Sequence, residues 1–132
     1  MTDLYGKLGE VAPDNLFTDI TPKAETRGKI IRNPESETVF KRGTVMAKST
    51  GEGGDGKLVI LGTEAGEGEK LTPDCILCDD TVADGTADVE TIAYTAGCFN
   101  TTRIAVKENY EMTEEDFDAL RKYGIVFKAA SE

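Results

Sequence analysis

The chain has 132 residues, with 15 Lys and Arg against 25 Asp and Glu, no His, no Trp and a formal net charge of −10. That length suits one buried core and is short for two. No run of about 18 apolar residues is present to span a bilayer, and the acid excess opposes nucleic-acid binding, which needs Lys and Arg to displace phosphate counterions.

The charge is unevenly placed. Residues 1–61 hold nine acids and nine bases, whereas residues 62–132 hold sixteen acids and six bases and so carry the whole excess. The N-terminus, Met1-Thr2-Asp3-Leu4-Tyr5, lacks a basic stretch followed by an apolar one. The expectation is a soluble, unexported and unanchored protein with neither nucleic-acid nor membrane partners.

Residues 1–28 carry Leu4, Tyr5, Leu8, Val11, Leu16, Phe17 and Ile20 at spacings that fit neither a long helix nor a regular strand, and Pro13 and Pro22 interrupt any continuous element. Disordered tails are usually poor in such side chains. The sequence therefore predicts an extended N-terminal arm over 1–28 that orders on a partner, followed by a β-rich body over 29–132.

From Lys29 the pattern becomes short strands between turn-rich loops. Strands are predicted at Lys29–Arg32, at Thr38–Lys48 with a bulge or bend at Gly43, at Lys57–Leu61, at Cys75–Cys78 after Pro73, from Val89 to Gly97, from Thr102 to Val106 and at Ile125–Lys128. One helix is predicted, about Glu114 to Tyr123. Thr113 is a good N-cap, Asp116 sits where a reciprocal capping acid belongs, and Glu114 and Glu115 complement the positive end of the dipole. Met112 and Phe117 occupy the hydrophobic-staple positions, Arg121 and Lys122 the last turn, and Gly124 the C′ position. This helix is expected to pack Phe117, Leu120 and Tyr123 against the sheet. The fold class is thus mainly β (α+β), a small β-barrel-like body with one short C-terminal helix.

Three motif matches fail on their context. Gly51-Glu52-Gly53-Gly54-Asp55-Gly56-Lys57 satisfies both GxGxxG and GxxxxGK, but Leu58 stands where a magnesium-binding hydroxyl is needed. A strand follows where both motifs require a helix N-terminus, so an exposed flexible hairpin loop is expected. Cys75-Ile76-Leu77-Cys78 has CxxC spacing, yet residues three apart on a strand point to opposite faces. Cys98 adds only a third soft ligand, one short of a structural zinc site. All three cysteines are expected as reduced, buried thiols. Asp79-Asp80-Thr81-Val82-Ala83-Asp84-Gly85 places Val82 where an EF-hand needs an oxygen ligand and Thr91 where it needs a bidentate Glu, leaving a solvated turn. With no His and no nucleophile beside a recognisable base, the expectation is a non-enzyme with no catalytic residues, no cofactor and no metal.

Three blocks in fixed order remain: Lys41-Arg42-Gly43-Thr44-Val45-Met46-Ala47, Pro73-Asp74-Cys75-Ile76-Leu77 and Ala96-Gly97-Cys98-Phe99-Asn100, closed by Leu120-Arg121-Lys122-Tyr123-Gly124-Ile125-Val126. From about Asn15 to Lys128 this order resembles the head decoration proteins of tailed bacteriophages, the lambda-type capsid-stabilising family. The resemblance implies a structural virion protein, a homotrimer on the capsid exterior that cements neighbouring subunits of the major capsid protein against internal DNA pressure, after assembly in the host cytoplasm. It also implies that the arm binds the capsid, with Leu4, Tyr5, Leu8, Leu16, Phe17, Ile20 and Pro22 as the candidate capsid-binding residues. Related arms carry a compact apolar-Pro stretch; here the sequence reads Asp19-Ile20-Thr21-Pro22, with a polar residue inserted. The alternative from a different class is a small β-barrel ligand-binding module for a polysaccharide or host surface, calcium-assisted through the acidic loops. The scarcity of aromatics and the lack of Trp count against sugar stacking.

Overall fold

The computed structural model describes residues 16–19 and 23–128. The chain is mainly β. Its strands are β1 (Phe17–Asp19), β2 (Glu25–Ile31), β3 (Thr38–Phe40), β4 (Val45–Thr50), β5 (Leu58–Ile60), β6 (Lys70–Leu77), β7 (Thr81–Ala83), β8 (Val89–Asn100) and β9 (Ile125–Lys128), with one helix, α1 (Glu114–Lys122), before β9.

Five strands close a barrel. The order runs β8-β2-β5-β4-β6, and β6 returns to β8 through Ile76↔Tyr94 and Leu77↔Ala93. Every junction is antiparallel except β2–β5, which meets in parallel at Ile31↔Leu58. Closure removes the free edges that an open sheet of this size would expose. The far end of β8 continues past the barrel and becomes the middle strand of a three-stranded extension, with β1 antiparallel on one side and β9 parallel on the other. A separate ribbon, β3 with β7, carries buried Phe40 and Ala83 into the barrel core.

The core has two parts, set by the two-residue period of the strands. One cluster, fed by all five barrel strands, fills the barrel: Ile31, Met46, Leu58, Cys75, Leu77 and Ala93, with Phe40 and Ala83 from the ribbon. The other lies outside the barrel wall. There Val45, Ala47 and Ile76 meet Leu16, Leu61, Phe99, Leu120 and Ile125. Strands β4 and β6 are therefore buried on both faces at Val45-Met46-Ala47 and Cys75-Ile76-Leu77, which explains why these blocks read as unbroken apolar runs.

Several boundaries differ from the sequence expectation, each for a local reason. Strand β2 begins at Glu25 because it ladders along β8 from Ala96 to Val89. Strand β6 begins at Lys70 and runs through Pro73, a residue that cannot donate to a ladder. It is accommodated beside a register shift opposite Met46/Ala47, where pairing is already irregular. Residues 102–106 do not form a strand. The Asn100 side chain accepts from the backbone N–H and hydroxyl of Thr102 (3.0 and 2.8 Å), turning the chain so that its backbone pairs just before β4 as an isolated bridge, Thr44↔Ala105. The expected bend at Gly43 is present. Its φ is +91°, and a Cβ there would lie 2.9 Å from the Arg103 carbonyl oxygen.

Helix α1 follows its sequence signals closely. The Thr113 hydroxyl accepts from the Asp116 backbone N–H (3.2 Å), and an Asp116 carboxylate oxygen accepts from the Thr113 N–H (3.0 Å), a reciprocal capping box. Leu120 is fully buried in the outer cluster, and Phe117 packs edge-on against Phe127 with centroids 5.1 Å apart. Tyr123 departs from the expectation. It is 56% exposed, because the cap at Tyr123 and the turn at Gly124 (φ +99°) lead the chain into β9 before that side chain reaches the sheet.

Replacing the cap tests this reading. Thr113→Ala is expected to lower unfolding stability by about 1 kcal/mol in urea titrations, with little change in strand signal by circular dichroism.

Candidate functional site

The expected capsid-binding residues do not stand together. Leu4, Tyr5, Leu8, Ile20 and Pro22 lie outside the described residues. Leu16 and Phe17 lie within them, and both pack against the folded chain. Leu16 is 1% exposed and packs in the outer core. Its carbonyl accepts the Asn100 backbone N–H at 2.6 Å, and Phe17 sits in register with Phe99. Residues 16–19 thus pair with the body, and strand β2 starts at Glu25. The sequence signal for this was the same apolar character that suggested a partner; the partner of Leu16 and Phe17 is the chain itself.

Phe17 is held by an aromatic cluster. Its ring meets Tyr94 edge-on at 5.0 Å and Phe99 at 4.9 Å, and Phe99 continues to Phe127 at 6.1 Å. Gly97 leaves room for these rings, since a Cβ there would lie 3.0 Å from Phe99 and 3.2 Å from Phe17. Tyr94 is fixed in turn. The Arg42 guanidinium donates to its hydroxyl (2.9 Å) and to the Cys78 carbonyl (2.7 Å), and also lies over its ring. Burial pushes the Tyr94 phenol above its ordinary range. The root of the N-terminal segment is thus tied to β8 by backbone pairing and to the outer core by two apolar side chains.

The glycine-rich loop at 51–57 joins β4 to β5, and a strand follows it, as the sequence required. It is more firmly pinned than a flexible hairpin tip. Arg32 at the end of β2 donates to both Asp55 oxygens (2.9 and 3.1 Å) and to Glu69, and Glu69 also accepts from the Ser49 hydroxyl and from the Gly66 N–H (2.8 Å). The Gly53 N–H donates to the Gly68 carbonyl (2.9 Å), joining this loop to the β5–β6 loop. Asp55 further accepts from the Lys57 N–H (3.0 Å), so carboxylates occupy donors that a phosphate would need. The hydrogen bonds from Arg32 hold the Asp55 carboxyl down at about 2, and the Gly66 N–H, Ser49 and Arg32 hold Glu69 at about 2.

Asp80 accepts the Arg42 backbone N–H (2.8 Å), and Asp84 accepts the Thr86 N–H (2.9 Å) and hydroxyl (2.7 Å). Among the described residues, no group of three or more His, Cys, Asp or Glu is placed to hold a metal ion. Cys75, Cys78 and Cys98 are buried and unbridged. Burial pushes the Cys78 thiol up to about 11 and Cys75 further, so both are protonated at neutral pH.

Two measurements check this geometry. Leu16→Ala should lower stability by about 2–5 kcal/mol, as expected of a core leucine rather than of an arm residue. Asp55 and Glu69 titrate lower in the folded chain than at their ordinary 3.8 and 4.5. Their stabilisation is therefore complete above pH ~5 and lost as pH falls towards 2. Arg32→Ala should melt earlier than the wild type at pH 7, and the gap should narrow below pH 4; a gap that is constant down to pH 2 contradicts the clamp.

No protein-family model and no curated protein matches this chain.

Proposed function

We propose that this chain is a non-enzymatic virion protein that decorates a phage head: a homotrimer on the capsid exterior whose N-terminal segment attaches to the major capsid protein and clamps neighbouring subunits against the pressure of packaged DNA. The observation that carries the reading is the anchoring of residues 16–19. A cement must transmit tension from its attachment segment into its folded body. Here the segment over residues 1–15 leads into a strand paired along β8, with Leu16 buried behind it. A pull on that segment loads the backbone ladder and the aromatic cluster together.

Residue order supports the same reading. The blocks that resemble the decoration proteins include the doubly buried stretches of β4 and β6 and the β8 segment that holds β1, so the resemblance lies in residues that specify the body. The acidic exterior suits a surface that stays clear of packaged DNA. Strand addition to a capsid sheet edge would supply affinity through main-chain hydrogen bonds, with Leu4, Tyr5 and Leu8 available as side-chain anchors. Ordering the segment costs about 1–2 kcal/mol per residue, which makes a single attachment weak. Three attachments on one trimer raise apparent affinity by roughly 10²–10⁴.

The test is co-sedimentation with expanded, DNA-free capsids. The full chain should pellet with capsids, and a chain lacking residues 1–15 should remain in the supernatant while melting within a few degrees of the full chain. Removing residues 1–22 takes Leu16 and Phe17 as well and should destabilise the body. Undiminished attachment of the shorter truncation would refute the role given to the segment.

A further inference from the structure

Strand β9 is paired on one side only. It runs parallel to β8, with the Gly97 N–H on the Gly124 carbonyl (3.0 Å) and the Thr101 N–H on the Lys128 carbonyl (3.2 Å). The even-numbered residues of β9 therefore turn their backbone groups to β8, and Ile125 and Phe127 turn theirs the other way. Among the described residues no strand pairs with that second edge. Beside it runs a groove of about 430 Å³, walled by β9 and by one face of α1, Glu114, Phe117, Asp118 and Arg121. The helix doubles back along the strand: the Arg121 carbonyl accepts the Gly124 N–H (3.0 Å), Phe117 meets Phe127, and Glu114 lies at the far end with Thr101. An open strand edge takes an extended segment, through main-chain hydrogen bonds. This chain has such a segment close by. The Leu16 carbonyl accepts the Asn100 N–H, and Asn100 is in register with Lys128, so residues 1–15 approach β1 from the end of the sheet where β9 finishes. From β1 past β8 and β9 to the open edge is three strand spacings, about 14 Å. Residues 9–15 reach up to about 23 Å when extended.

We infer that residues 3–8 dock as a strand on the open edge of β9 in their own chain, in the groove beside α1. The connection fixes the direction. Residue 8 arrives at the Lys128 end and residue 3 at the Ile125 end, so the segment runs parallel to β9. Charge selects the same direction. Asp3, Tyr5 and Lys7 share one face of a strand, with about 13 Å from Asp3 to Lys7. Arg121 and Glu114 are seven residues, about 10 Å, apart along the helix. In the parallel direction Asp3 meets Arg121, Tyr5 meets Phe117 and Lys7 meets Glu114. The opposite direction would set Asp3 against Glu114 and Lys7 against Arg121, two repulsive pairs. Leu4 and Leu8 fall on the other face, beside Val126. The docking stands apart from the proposed function, but its consequence rests on that reading: a free chain covers its own attachment segment, and a capsid has to compete with the groove for it.

Amide hydrogen exchange followed by NMR tests the docking. In the full chain the Phe127 N–H should exchange about tenfold or more slowly than in a chain lacking residues 1–8. The Val126 N–H, already turned to β8, should change little. Lys7→Glu should raise the Phe127 rate to that of the shortened chain, and Lys7→Glu with Glu114→Lys should slow it again. Equal Phe127 exchange in the full and shortened chains overturns the docking, and protection that survives Lys7→Glu overturns its register. A labelled shortened chain mixed with unlabelled full chain identifies the donor. Protection gained there means that the segment comes from another copy, which overturns the assignment within one chain. Capsid co-sedimentation is a separate readout: a protected chain that ignores capsids keeps the docking and refutes the proposed function, and an unprotected chain that binds them does the reverse.

Discussion

Burial of β4 and β6 on both faces is the constraint from which the rest of this structure follows. A barrel of five short strands encloses little volume, and its interior here is filled by residues such as Met46, Cys75, Leu77 and Ala93. Each fully buried aliphatic side chain contributes about 1.5–3 kcal/mol, so one narrow interior is a modest driving force for a chain of this length. The same two strands present Val45, Ala47 and Ile76 outward, and these require a second layer. Helix α1, strand β9, the loop between β8 and α1, and Leu16 supply it. The helix and the C-terminal strand are in this sense the outer half of the core.

That second layer also explains the route of the N-terminal segment. Strand β8 is the longest of the described strands because it serves both parts: Ala93 points into the barrel, and Phe99 lies in the outer cluster. Beyond the barrel it needs new partners for its backbone, and β1 and β9 provide them. The N-terminal segment is therefore rooted on β8, beside the outer cluster. In the proposed role this matters more than any pocket, since a clamp works through the strength of its attachment.

Polar interactions play a secondary part and act mainly on loops. Arg32, Asp55, Glu69 and Ser49 join two glycine-rich connections that have few apolar residues to hold them. Arg32 and Asp55 are partly exposed and screened by solvent, while Ser49 and the Glu69 carboxylate are buried beneath them, so the outer part of the clamp serves mainly to order the loops. A run of glycines and acids such as 51–57 looks flexible in isolation. It is held because Arg32 arrives from another strand, a meeting that pattern and propensity do not encode.

The sequence by itself determined what depends on neighbours within a few residues. The capping box of α1, the turn at Gly43, the strand character of 58–60, the mainly β class with its small barrel-like body, and the failure of the phosphate-loop motif all follow from local sterics and hydrogen bonding. The proposed likeness to decoration proteins rests on short blocks of the same local kind. Tertiary structure decided the rest. It decided that Leu16 and Phe17 belong to the core, that Pro73 sits inside a strand, that 102–106 is a loop, that Tyr123 stays in solvent, and that residues 81–83 pair with 38–40. In each of these the outcome depends on which distant segment lies alongside. An apolar side chain in sequence shows that it must be covered, and only the folded chain shows by what.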